Sequence, residues 1–370
     1  MRRAAVVLAL LLTACGASSG QRTASSSSSA SPSGAASTSL SGSTHPSALP
    51  TQPSYGVLIE GTNSSYSVLL VGIDGKIAAH ATATMPTVYR YTHFPPAPPV
   101  VSISRSRVYF ADGASIKYLK PDGSAGIAMP YPGGPQTAAG FAVSPDDRRI
   151  AVAELAFKSP DNFQASLKLY VEDVGGGNRI DLFSSSAVAE WPVAWTNGHL
   201  VIAVGPSVAG NASNNPYNGL QGYHVADATT GNRLVAMSSD CLFGPLEPTG
   251  SACNSSGQIL AQGFDGSNRV FSPSAGSQNF LALSPDGSRI AGRPGAQGSP
   301  LVVFNQAGTV TNETQSGVPM GWIDDQHLVF YGPNGFQRNI LDLASGSAIP
   351  LPACSCGDSG IFYGTFPASS

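Results

Sequence analysis

From residue 55 onward the chain alternates short apolar runs with clusters of turn-forming residues, and no stretch carries the 3.6-residue periodicity of a long amphipathic helix. Two segments are nearly identical. Residues 141–151 read FAVSPDDRRIA and residues 280–291 read FLALSPDGSRIA. Each predicts a short apolar strand, a tight turn and a second apolar strand. Proline presets φ for such a turn, and Asp or Gly tolerates its backbone angles. The turn residues are Ser144, Pro145 and Asp146 in one copy, and Ser284, Pro285, Asp286 and Gly287 in the other. Weaker copies lie at 101–110, 192–202 and 320–330. A second hairpin follows most of them, at 69–78, 116–128, 167–182, 222–235, 301–311 and 339–349.

The unit is therefore four strands in two hairpins, recurring every 40 to 50 residues or so. A lone four-stranded sheet cannot bury both faces, whereas sheets packed around an axis bury one another. The pattern predicts an all-β chain folded as a β-propeller of four-stranded antiparallel blades. Seven blades are expected, at 55–90, 99–131, 140–186, 192–240, 244–277, 279–318 and 319–352. The fifth is poor in strand signal, and the count becomes six if that segment is an insertion. The first blade lacks an innermost strand, while residues 360–366 form a strand without a blade. That tail is expected to complete the first blade and close the ring, which removes exposed strand edges.

The form Ser-Pro-Asp-Gly-x-x-Ile-Ala, clear at 144–151 and 284–291 and degenerate around Trp195 and Trp322, resembles the WD40-like (PD40) repeat of TolB-type propellers. The resemblance spans residues 55–370. It implies the fold and is silent on function, because such propellers serve many roles.

The start of the chain reads differently. Arg2 and Arg3 precede an apolar stretch from Ala4 to Leu12, then Thr13-Ala14-Cys15-Gly16. The stretch has signal-peptide length and is too short to span a bilayer. The segment resembles the lipobox of bacterial lipoproteins, which implies cleavage after residue 14 and a lipid anchor on Cys15. Residues 15–54 continue as Ser, Ala, Gly, Thr and Pro. This composition cannot bury enough apolar surface to offset chain entropy and predicts a tether reaching roughly 35 Å. The expected organisation is a signal peptide at 1–14, the lipidated tether at 15–54 and the propeller at 55–370, held at the cell membrane or envelope outside the cytoplasm.

Charged residues make up 11% of the chain and the net charge is -3, with no basic stretch to follow a nucleic-acid backbone. Besides Cys15 there are Cys241, Cys253, Cys354 and Cys356. An even number in an exported chain points to disulfides, and four cysteines allow three connectivities. The favoured one joins Cys241 to Cys253 and Cys354 to Cys356.

Candidate chemistry is sparse. Gly357-Asp358-Ser359-Gly360 and Ala78-Ala79-His80-Ala81 echo the nucleophile and histidine segments of trypsin-like proteases, but both lie in a propeller repeat array. His199 and His327 share one blade position, as do Trp195 and Trp322. Shared positions favour structural roles over metal ligation or ligand stacking. Loops are better candidates. Three stand out, at 158–164, 206–220 and 241–256, and the second carries Asn214, Asn215 and Tyr217. The expected function is a non-enzymatic, monomeric binding or scaffold module for an envelope protein or glycan, without metal or cofactor. The alternative is a propeller enzyme such as a metal-dependent, lactonase-like hydrolase.

Overall fold

The structure, a computed structural model, describes residues 53–370 apart from 62–63, 87–99, 160–161, 206–219, 238–241, 244, 256–257, 274–275, 277, 296–297, 315, 334–336, 353–359 and 369–370. Its strands form seven four-stranded antiparallel blades of a β-propeller, with no helix among the described residues.

Blade 1 holds β1 (Tyr55–Gly61), β2 (Ser65–Gly72) and β3 (Ile77–Thr84). Blade 2 holds β4 (Val101–Ile103), β5 (Val108–Asp112), β6 (Ser115–Leu119) and β7 (Ala125–Pro130). Blade 3 holds β8 (Thr137–Val143), β9 (Arg149–Ser159), β10 (Asn162–Asp173) and β11 (Ile180–Ser185). Blade 4 holds β12 (Ala189–Thr196), β13 (His199–Gly205), β14 (Gly222–Ala226) and β15 (Arg233–Ala236). Blade 5 holds β16 (Leu242–Phe243), β17 (Gly250–Ser255), β18 (Gln258–Gly263) and β19 (Asn268–Phe271). Blade 6 holds β20 (Gln278–Leu283), β21 (Arg289–Pro294), β22 (Val302–Asn305) and β23 (Val310–Glu313). Blade 7 holds β24 (Val318–Asp324), β25 (His327–Tyr331), β26 (Arg338–Asp342) and β27 (Ala348–Pro350).

The last strand, β28 (Ile361–Phe366), returns to blade 1 as its innermost strand, in the order β28-β1-β2-β3. Tyr55 pairs with Phe366 and Ile59 with Ile361. The ring is thus closed by the two ends of the propeller sequence. Val57 faces Gly364 and Leu58 faces Phe362, so Tyr363 is an extra residue in a bulge. A bulge re-aims the side chain it carries.

Burial follows strand position. β8 is buried along nearly its whole length, whereas the outermost β7 and β11 alternate exposed and partly buried residues. Strands covered on both faces read as continuous apolar runs, and strands with one wet face alternate. This is why the outer hairpins carry weaker sequence signals than the inner ones. The fifth blade is real, and among the described residues its innermost strand is the pair Leu242–Phe243. Blades 3 and 4 begin at Thr137 and Ala189, three residues before the apolar pattern placed them. The small residues Thr137 to Gly140 carry little hydrophobic signal, and a bulge between Pro192 and Ala194 interrupts the alternation.

The repeat turns are built alike. Ser144 N–H donates to Arg149 O (2.8 Å), its hydroxyl donates to Asp146 Oδ1 (2.7 Å) and accepts from Arg149 N–H (2.9 Å). Ser284 repeats these bonds with Arg289 and Asp286 at 2.9, 2.6 and 3.0 Å. These serines and aspartates therefore fasten the turn. Burial of Ser144 and Ser284 makes each hydroxyl's bonds worth about 1 kcal/mol net.

Innermost strands pair on one side only, so their other backbone edge needs partners. Neighbouring blades supply them. The Trp195 indole N–H donates to Ala142 O (2.9 Å) and that of Trp322 to Ala282 O (3.1 Å). Each acceptor lies two residues before a motif serine, in the preceding blade. Val143 N–H donates to the Ser102 hydroxyl (2.8 Å), and the Thr365 hydroxyl donates to Trp322 O (2.6 Å). Glu60 at the end of β1 pairs with the buried Arg338 of blade 7, across the seam where the ring closes.

Candidate functional site

Residues of the innermost strands of blades 1 to 4 and of the blade 5 connections line a cavity of about 100 Å3. Val101 and Ile103 on β4, Val143 on β8 and Val193 on β12 give it apolar walls. Three aromatic side chains also line it: Trp195 on β12, Phe264 after β18, and Tyr363, which the β28 bulge places there. Gly364 in that bulge has φ 138°, and a Cβ on it would lie 3.3 Å from Ile103 Cδ1. The glycine lets β28 pass close to β4.

Glu247 is the one acidic residue among the described residues that line this cavity. Glu247 sits in the connection between β16 and β17, held by paired backbone bonds with Gly250 at 2.8 and 3.0 Å. It is 3% exposed, and its Oε1 accepts the Trp322 backbone N–H at 3.3 Å. That bond reaches from blade 5 to blade 7. Burial pushes the Glu247 pKa well above the ordinary carboxyl value, the Trp322 N–H opposes the rise, and the nearby Asp325 carboxylate adds to it. Asp325 lies in the β24–β25 turn, is itself raised by burial, and accepts Asp286 N–H at 2.8 Å. Glu247 lies within the third loop singled out by sequence, 241–256, yet nothing local in the sequence marks it.

A second buried cluster lies in blade 4. Glu190 on β12, 5% exposed, meets Arg233 at 3.2 Å and His224 Nε2 at 3.7 Å. Burial raises the Glu190 pKa against the pull of Arg233. Burial, aided by Arg233, pushes His224 down to about 4. The imidazole is therefore neutral at pH 7. The sign for stability follows: the folded pKa lies below the unfolded 6.5, so this contribution is present above about pH 6.5 and is lost as pH falls through about 4. The two values correspond to about 3 kcal/mol. Urea titrations between these pH values are expected to show that loss, and His224→Gln should remove most of it. An unchanged pH dependence in the variant would assign the acid lability elsewhere.

The remaining candidates separate cleanly. His327 Nδ1 meets Asp324 at 2.8 Å, and the same carboxylate accepts the Gln326 and His327 backbone N–H groups, a turn fastening. His199 is partly buried in the equivalent place, but its Nδ1 meets no hydrogen-bond partner. His80 stands exposed on β3 opposite Leu69. Phe280 opens the apolar strand of the second clear repeat. It adopts φ 53° in a bulge of β20, is 58% exposed, and has the Arg293 guanidinium 4.7 Å from its ring centre. Cys253 is fully buried on β17. Cys15, Asn214, Asn215, Tyr217, Cys241, Cys354, Cys356, Asp358 and Ser359 lie outside the described residues. Among the described residues, no three His, Cys, Asp or Glu come together as a group able to hold a metal ion.

No family model matches the sequence, and no curated protein does. Among solved structures the chain is similar to apo AztD from Citrobacter koseri, at 10% identity over 86% of this chain and 99% of that one, with a TM-score of 0.47. The periplasmic gluconolactonase PpgL of Pseudomonas aeruginosa aligns at 13% identity over 84% and 99%, with a TM-score of 0.45. TolB from Acinetobacter baumannii aligns at 12% identity over 84% and 67%, with a TM-score of 0.38.

Proposed function

We propose that the chain is a lipid-anchored envelope protein whose propeller is a monomeric, non-enzymatic binding or scaffold module for a protein or glycan partner. The observation that carries this reading is where the polar repeat residues are spent. Ser144, Asp146, Ser284 and Asp286 fasten turns, Trp195 and Trp322 cap neighbouring strands, and among the described residues Glu247 is the one acidic residue lining the cavity. Metal-assisted hydrolysis needs several convergent carboxylate or imidazole ligands. A rigid ring with its chemistry committed to structure suits binding through blade connections, and Asn214, Asn215 and Tyr217 are proposed as contact residues.

The Arg2-Arg3 start, the apolar stretch and Cys15 support export and lipidation; residues 15–54 serve as the tether. Within the propeller, the same proposal joins Cys241 to Cys253, closing the Pro- and Gly-rich loop between them. Cys354–Cys356 is the second bridge of the same proposal.

Replacing Cys15 with Ser is expected to move the protein from the membrane fraction to the soluble fraction with its thermal unfolding unchanged. A variant that stays membrane-bound would refute the anchor. The binding role is tested by immobilising the purified protein and passing envelope extract over it, with elemental analysis of the same preparation. One protein or glycan retained in stoichiometric amount is the expected result. A stoichiometric metal together with hydrolysis of a lactone would overturn the reading in favour of an enzyme.

A further inference from the structure

We propose that the cavity is a binding site for a small organic cation, a methylated ammonium headgroup, held between the Glu247 carboxylate and the aromatic side chains of Trp195, Phe264 and Tyr363. Size comes first. A cavity of about 100 Å3 is smaller than the roughly 150 Å3 that admits a benzene ring, so the occupant has only a few heavy atoms. The cavity is partly open, which lets a larger molecule insert its head and leave its remainder outside.

Charge comes second. Among the described residues no lysine, arginine or histidine lines the cavity, and Glu247 is the one carboxylic acid on its wall. Asp325 adds a second negative charge nearby. A buried carboxyl without a counter-charge is held neutral by its surroundings. A cation entering the cavity supplies that counter-charge, so binding ionises Glu247 and releases its proton. A neutral ligand gains nothing from this exchange, and an anion is repelled.

Wall chemistry comes third. Aromatic faces attract cations within about 6 Å of the ring centre, most strongly where water is excluded. Apolar walls from Val101, Ile103 and Val193 solvate methyl groups but not a bare ammonium with its tight hydration shell. Together these features select a methylated ammonium over a potassium ion or a primary amine.

The site is independent of the macromolecular partner proposed above, so either proposal can fail alone. The probe is tetramethylammonium, compared with its neutral analogue tert-butanol, by calorimetric titration of the purified full-length protein. Tetramethylammonium is expected to bind with a dissociation constant of about 1 mM or tighter, releasing a proton. Binding should strengthen as pH rises, with Asp325 the titratable neighbour that acts on Glu247 and Tyr363 the other titratable residue lining the cavity. Glu247→Gln retains an oxygen to accept the Trp322 N–H, and is expected to weaken binding at least about tenfold. Phe264→Leu is expected to weaken it several-fold, and decides the matter if Glu247→Gln does not fold. Three results overturn the proposal: no saturable binding below about 10 mM, tert-butanol binding as tightly, or unchanged binding in both variants.

Discussion

Deleting residues 361–370 is expected to abolish cooperative folding of the ring. The segment supplies the innermost strand of blade 1, paired with β1 from Tyr55↔Phe366 to Ile59↔Ile361. Phe362 and Phe366 are 3% and 1% exposed. Phe362 packs with Leu58, Met320 and Ile323, joining blade 1 to blade 7, while Phe366 packs with Val57, Val101 and Phe110, joining blade 1 to blade 2. Truncating one buried Phe costs about 3–5 kcal/mol, and domains hold only about 5–15 kcal/mol in total. Losing both rings together with the β1 ladder therefore consumes most or all of the stability. The bare edges of β1 and the unfilled gap also invite association between chains. Circular dichroism melts and gel filtration check this. A truncated protein that melts cooperatively as a monomer would show that the remaining sheets close without β28.

Trp322→Ala is expected to cost about 3–5 kcal/mol, and Trp195→Ala clearly less. Trp322 is fully buried against Leu301, Leu328 and Leu341, and its indole N–H satisfies Ala282 O. Removing the ring leaves a cavity and an unpaired buried carbonyl, two separate losses. Trp195 makes the equivalent bond to Ala142 O but is only partly buried and borders the cavity. Trp322→Phe separates the two losses, keeping most of the volume while dropping the bond, and should cost about 1–3 kcal/mol. Urea unfolding of the three variants checks the order. A larger loss for Trp195→Ala than for Trp322→Ala would contradict the burial that sets it.

The contrast between these two tryptophans shows what the sequence makes legible. Their shared blade position is visible in residues 192–202 and 320–330, and so is the shared structural role. Seven blades and the closing strand are legible for the same reason: hairpin spacing and turn chemistry are local, and each repeat restates them. The departures are not local. Glu247 is one acid in a Pro- and Gly-rich loop, and its meaning comes from a backbone N–H 75 residues away. Phe280 sits in one of the two clearest repeats, yet a bulge in β20 gives it a positive φ that no residue pattern announces. Tyr363 reaches the cavity only because β28 carries one residue more than its partner. Periodicity describes what recurs, and a site is built from what does not.

The pairing of β1 with β28 also fixes an order of events. During synthesis, β1 emerges early and waits for a partner encoded about 300 residues later. Six blades can form from contiguous chain while this happens. The first stays three-stranded until the final segment arrives, and closing so long a loop is a slow step. A ribosome that stops early therefore releases a chain with an open seam, whatever else it has folded. The closing strand thus turns an open row of sheets into a ring in a single late step.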